Sequence, residues 1–286
     1  MQAVISVGMR LIFSLTALSL IVYGYFWTQD NTLDLKTKAQ ELLDLGRFPT
    51  LEIRYQASQI MEAHRRELLK SNRHRFLEPV LKFYPYLLMD VKYTASDTKT
   101  NEGVILWDLV DGEMVIDTRD WEKTHGFGDC ITADTQRHEF KILNILFRKG
   151  GTSDRQQLSQ TLHVDNEILD SWIDSCRRKK LIIQSGNNYR LHLQNPKFKI
   201  FPETKLDERL VTKPHKNALR QSRNFSHGQI QKLAKAAFGD DFAVRRATDI
   251  YLPVHSIVVQ NPDGSIHTSH WNALNGKRLF SSQFIE

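Results

Sequence analysis

Apolar residues return along this chain at steps of two, three and four, and each change of period marks a boundary. From Leu11 to Trp27, "LIFSLTALSLIVYGYFW", no charge interrupts the run, which is close to the length of a bilayer-crossing helix. Tyr23, Tyr25 and Trp27 gather at one end, where amphipathic rings suit a lipid interface, and Arg10 next to Leu11 stands ready to snorkel at the other. The run is longer than a signal-peptide core and no small-x-small site follows it, so residues 1–31 are predicted to be an uncleaved, single-pass membrane anchor. Three- and four-residue steps then place a helix over Thr32–Leu45 (Leu33, Leu35, Ala39, Leu42, Leu43). The same spacing predicts a second helix over Leu51–Arg75, with Ile53, Ile60, Met61, Leu68 and Leu69 on one side and a basic face from His64 to Arg75 on the other.

Beyond it the period falls to two, and the pattern occurs twice. "FYPYLLMDVKY" and "VILWDLVDGEMVID" between residues 83 and 117 have counterparts in "IYLPVHSIVVQ" and "IHTSHWNALNGKRLF" between 250 and 280. Trp107 precedes Gly112 as Trp271 precedes Gly276, each glycine following Asp111 or Asn275 in a dipeptide suited to a tight turn with positive φ. Pro85 and Pro253 are expected near the start of a strand, where a missing N–H costs least. Each copy follows a helix, the second being Ser226–Phe238, with a Ser N-cap, Gln229 three later and Gly239 to end it. This predicts a duplicated helix-plus-hairpin unit. Over these short stretches it resembles the PepSY-like αββ modules, which end in a similar strand-turn.

Between the copies, His138–Lys149, Asp154–Leu162 and a helix capped by Asp165 read as three short helices. Ser153 and Gln156 are expected to form a capping box for the second. Ile168, Leu169, Trp172, Ile173 and Cys176 form the buried stripe of the third. Leu181–Ile183 and Tyr189–Leu193 supply a hairpin around "QSGNN". Residues 137–193 together resemble a winged helix-turn-helix domain. The resemblance implies that the third helix could enter a DNA groove, with base-reading and phosphate-neutralising side chains on its first turns. Here those turns carry Asp165, Glu167, Asp170 and Asp174, with Asn166 and Ser171 between them, which would repel a phosphate backbone. Arg177, Arg178, Lys179 and Lys180, with Arg190 in the wing, are the candidate nucleic-acid or anion-binding residues, against the plainer reading that they cap a helix dipole in water. Residues 196–225 are polar, basic and proline-interrupted, and are read as a connector.

Composition adds little chemistry. A chain of 286 residues with 41% hydrophobic and 25% charged residues is ordinary for globular domains, and a net charge of +6 with pI about 9.2 permits an anionic partner without requiring one. Two cysteines, Cys130 and Cys176, lack zinc or disulfide spacing and fit a reducing compartment. Asp90 and Lys92 have the Asp-x-Lys form of a nuclease metal site without a second acid. His125 and Cys130 could pair as base and thiol but lack a third group. His255, His267 and His270 are explained by a solvent-facing strand. The expected protein is α+β: an anchor (1–31), a helical stalk with the first αββ unit (32–135), a winged-helix domain (136–195), a connector (196–225) and a second αββ unit (226–286). Its expected function is non-catalytic, without cofactor or metal. It would present the winged-helix module to a protein partner at the membrane surface, its soluble part cytoplasmic. A membrane-tethered DNA-binding regulator is the alternative and a metal nuclease a remote third.

Overall fold

The computed structural model describes residues 47–94, 99–193, 195–198, 201–215 and 218–280. The strands are β1 Arg47–Leu51, β2 Arg75–Phe76, β3 Val80–Thr94, β4 Thr100–Asp108, β5 Met114–Asp117, β6 Glu122–Lys123, β7 Thr152–Asp154, β8 Ile182–Ser185, β9 Asn188–Leu191, β10 Leu210–Pro214, β11 Leu219–Arg220, β12 Ala243–Gln260 and β13 Ile266–Asn272. The helices are α1 Ala57–Ala63, α2 Arg65–Leu68, α3 Phe127–Thr132, α4 Arg137–Arg148, α5 Arg155–Leu162, α6 Asn166–Arg178 and α7 His227–Phe238. Two compact units are present. Among described residues the smaller holds Arg47, Phe48 and 213–215, where the Phe48 and His215 rings lie 5.4 Å apart. The larger holds the rest.

No helix among the described residues is long and apolar enough to cross a membrane. The single-pass architecture and membrane location expected from the sequence are thus corrected to what the described residues show, a mixed α/β fold built on a large sheet with no such helix. Arg10, Leu11, Tyr23, Tyr25 and Trp27, and the expected helix over 32–45, lie outside the described residues. The helix expected over Leu51–Arg75 is also corrected. Leu51 belongs to β1, the helix begins at Ala57, and it breaks at His64 into α1 and the single turn α2. Pairing of Thr50 with Tyr251 in β12 overrides the local helical period, as long-range sheet contacts commonly do.

β3 and β12 pair antiparallel along the middle of the sheet, and a two-fold relation runs through that pair. Tyr251 lies opposite Pro85, and Pro253 opposite Phe83. Both prolines sit inside their strands rather than at the starts. The Pro85 carbonyl accepts from Leu109 N–H (3.1 Å) and the Pro253 carbonyl from Ala273 N–H (3.1 Å). A residue's nitrogen faces the same side of its strand as its carbonyl, so each proline's missing N–H lies at the gap where one neighbouring strand ends and the next begins. β4 returns on β3 with Trp107 opposite Leu87, and β13 on β12 with Trp271 opposite His255.

The turns match atom for atom. Asp108 Oδ1 accepts from Val110 N–H (2.7 Å) where Asn272 Oδ1 accepts from Leu274 N–H (2.9 Å). Gly112 (φ 78°) and Gly276 (φ 69°) complete them. Each copy's helix is delivered to the other copy's turn. Tyr55 N–H donates to the Ala273 carbonyl (2.9 Å) and Phe225 N–H to the Leu109 carbonyl (3.0 Å). The Phe225 ring lies 2.9 Å from where a Cβ on Gly112 would stand, and the Tyr55 ring 3.1 Å from the same point at Gly276. The side-chain carbonyls of Gln59 and Gln229 then accept from the N–H groups of Gln56 (2.8 Å) and Ser226 (2.9 Å), starting α1 and α7 alike. Trp107 consequently lies under Phe238 of α7, and Trp271 under His64 beside α1.

α4, α5 and α6 stand between the copies with a three-stranded sheet in the order β7-β9-β8. The α5 cap is Asp154, which accepts from Gln157 N–H (2.8 Å), one residue later than the expected Ser153–Gln156 box. Phe140 and Leu143 of α4 share a continuous apolar core with Trp107, Phe127, Ile230 and Leu233. The insertion is thereby packed into the body through α4 and leaves α6 outward.

Candidate functional site

The buried anchor of α6 is a carboxylate on α4. Glu139, its side chain inaccessible, accepts from Gln136 N–H (2.7 Å), Ser175 Oγ (2.6 Å) and Lys179 Nζ (2.7 Å). Burial pushes its carboxyl upward, but the Gln136, Lys179 and Ser175 bonds outweigh that and hold it below the usual glutamate range. Lys179 Nζ also donates to the Asp134 carbonyl (2.7 Å). One of the five expected anion-binding residues is thus committed to holding two helices together.

The other four are exposed. Arg177 reaches Asp174 on its own helix (3.4 Å), and Arg178 is exposed on the last turn. Lys180 occupies a left-handed turn (φ 56°), its carbonyl accepting from His192 Nδ1 (3.0 Å). Arg190 is exposed on β9 opposite Thr152 and Ile183. The first turns of α6 instead show solvent Asn166, Glu167, Ile168, Asp170, Ser171 and Asp174, preceded by exposed Asp165. Arg155 of α5 makes two 2.6 Å bonds to Asp170, and Ile168 is 46% exposed among the acids.

The remaining candidates are placed apart. Asp90 and Lys92 are exposed on one face of β3, opposite Val104 and Glu102. His125 is exposed while Cys130 is fully buried, and burial pushes the Cys130 thiol far up and that of Cys176 up to about 12, so neither supplies a thiolate near neutral pH. His255 and His270 are buried rather than solvent-facing. Nε2 of His255 donates to the Tyr55 carbonyl (2.9 Å), with burial pushing its pKa down, and Nδ1 of His270 meets Ser256 Oγ (3.0 Å). Among the described residues no group of three His, Cys, Asp or Glu side chains is placed to hold a metal.

No family model matches the chain, and no curated protein or solved structure does either.

Sequence reasoning missed a second charged centre. Lys123 Nζ on β6 donates to Asp108 Oδ2 (2.5 Å) and Asp111 Oδ2 (2.8 Å) and lies 5.5 Å from the centre of the Tyr86 ring, whose Oη accepts from Trp121 Nε1 (3.3 Å). Burial, and then the Asp108 charge, pushes the Tyr86 hydroxyl well up. The signal was available as a difference between the copies. The first turn has Asp108 and Asp111 where the second has Asn272 and Asn275, and buried carboxylates call for a cation. Beside this centre lies a cleft of about 500 Å³ lined by Asp111, Trp121, Lys123, His125, Lys197 and Lys277. Its cations already face carboxylates: Lys197 meets Glu122, and Lys277 meets Asp120 at 2.5 Å. Glu113 accepts from Gly126 N–H (2.8 Å), Gly128 N–H (3.1 Å) and Thr124 Oγ1 (2.7 Å), closing the loop that starts α3. The charges of this cleft join the first turn to its neighbours.

Proposed function

We propose that this protein is a non-catalytic interaction protein in which residues 137–193, a module of winged-helix type, present the acidic face of α6 to a basic protein surface. The observation that carries the reading is that the exposed positions of α6 hold Glu167, with Asp170 and Asp174 bonded to Arg155 and Arg177, while Lys179 is turned inward onto Glu139. A DNA backbone laid along α6 would meet carboxylates where it needs cations. A basic protein surface gains from the same charges, and Ile168 offers an apolar contact at their centre.

The test is a titration of the full chain into a labelled mixed-sequence DNA duplex at low salt, followed by fluorescence anisotropy. The reading expects no saturable binding. Binding that weakens steeply with salt, and is lost on joint replacement of Arg177, Arg178 and Lys180 by alanine, would establish DNA as the partner instead.

A further inference from the structure

The two repeats are closed unequally along their outer edges. In the first, the connector continues the sheet beyond β5. Thr204 N–H donates to the Val104 carbonyl (2.7 Å), while its buried hydroxyl accepts from Leu106 N–H (2.9 Å) and donates to the Val115 carbonyl (2.5 Å). Asp117 and Lys205 pair in parallel there, so the connector runs antiparallel to β4. In the second repeat the chain after the turn begins the same way, with Leu279 N–H donating to the His270 carbonyl (2.8 Å) as Val115 pairs with Leu106. The residue equivalent to Val104 is then Thr268. Among the described residues no backbone group pairs with Thr268 on that side, and Ile266 at the same edge is 61% exposed.

The surroundings of this edge are basic. A depression of about 350 Å³ beside it is lined by Lys70, His74, His267 and Arg278. The acid among its walls, Glu67, already faces Arg278 (3.5 Å) and His64 (3.2 Å). Lys70 has no carboxylate within ion-pair distance among the described residues.

We propose that the β13 edge from Ile266 to Thr268 takes up an extended, acidic segment of a partner protein as an added antiparallel strand, in the place that Thr204 holds in the first repeat. Main-chain bonds to the edge groups without a partner among the described residues would supply affinity. Side chains on one face of the added strand recur every second residue, so acidic groups there would point into the basic depression. None of the α6 acids lines this depression, and the proposal stands or falls independently of them.

The test uses the full-length chain and a fluorescein-labelled heptapeptide alternating glutamate and valine around a central threonine. Saturable binding is expected. A peptide with lysine for glutamate should fail to bind, and N-methylation of the peptide's edge-facing amides should abolish binding without altering the protein. Lys70→Glu with His267→Glu, both at exposed positions, should weaken binding by about tenfold, equivalent to about 1.4 kcal/mol. Failure of the glutamate peptide to bind, equal binding of the lysine peptide, or equal binding of the N-methylated one would each overturn the proposal.

Discussion

Asp108→Ala lowers the free energy of unfolding by about 3–5 kcal/mol, the usual cost of removing one partner from a buried ion pair. Its side chain is inaccessible and Lys123 is 15% exposed, so the substitution leaves the ammonium with Asp111 as its one remaining carboxylate in this cluster. The substitution also frees the N–H of Val110. Urea denaturation measures the loss, and adding Lys123→Met together with Asp111→Asn should restore part of it by removing both charges left in the turn. The second repeat supplies the control. Asn272→Ala removes the same turn bond, to Leu274, but strands no ion and should cost about 1–3 kcal/mol. The pH dependence has a defined sign. Burial, then the Asp108 charge, raises the Asp111 carboxyl to about 6, with Lys123 opposing. A carboxyl raised above its unfolded value of about 4 binds its proton more tightly when folded, so this group's contribution to stability falls as pH rises through that interval. The stability difference between wild type and Asp111→Asn should therefore change between pH about 4 and about 6 and flatten above it. A difference constant across that window would contradict the assignment.

Glu139→Ala is the second large effect, at about 3 kcal/mol, because one carboxylate closes the α4 cap and holds both Ser175 and Lys179 of the α6 end. Lys179 is 26% exposed and can turn to water, so the cost should stay below that of Asp108→Ala. Hydrogen exchange should show faster opening of α4 and α6 amides, with β3 and β12 unchanged. Glu139→Gln keeps an acceptor for the cap and should lose about 1–2 kcal/mol. Since the carboxyl sits below its unfolded value, its stabilisation is present above that value and is lost as pH falls through the folded one.

The turn motifs "WDLVDG" and "WNALNG" were legible because strand alternation and an Asx-Gly turn are local signals. The helices of residues 137–178 were legible for the same reason, to within a residue or two. The exchange of helices between copies was not, because Tyr55 meets Gly276 and Phe225 meets Gly112 only through pairings more than a hundred residues apart. Nor was β1, where Leu51 fits a helical period as well as a strand. Prolines at 85 and 253 were misplaced for a similar reason, since only the gap between neighbouring strands makes an interior proline harmless. At the site, the acids of α6 could be read directly, whereas the inward turn of Lys179 depends on Glu139, forty residues earlier. The basic tetrad therefore gives one of its members, Lys179, to an inward contact.

The central claim, that the acidic face of α6 binds a basic protein surface, is tested most directly by placing a photo-cross-linking amino acid at Ser171 in the full chain and irradiating cells that express it. One dominant protein adduct is expected, bearing a basic surface at the cross-linked position, and it should disappear when Glu167 and Asp174 are both changed to lysine while the fold is retained. No adduct, or an adduct indifferent to those charge reversals, would contradict the account.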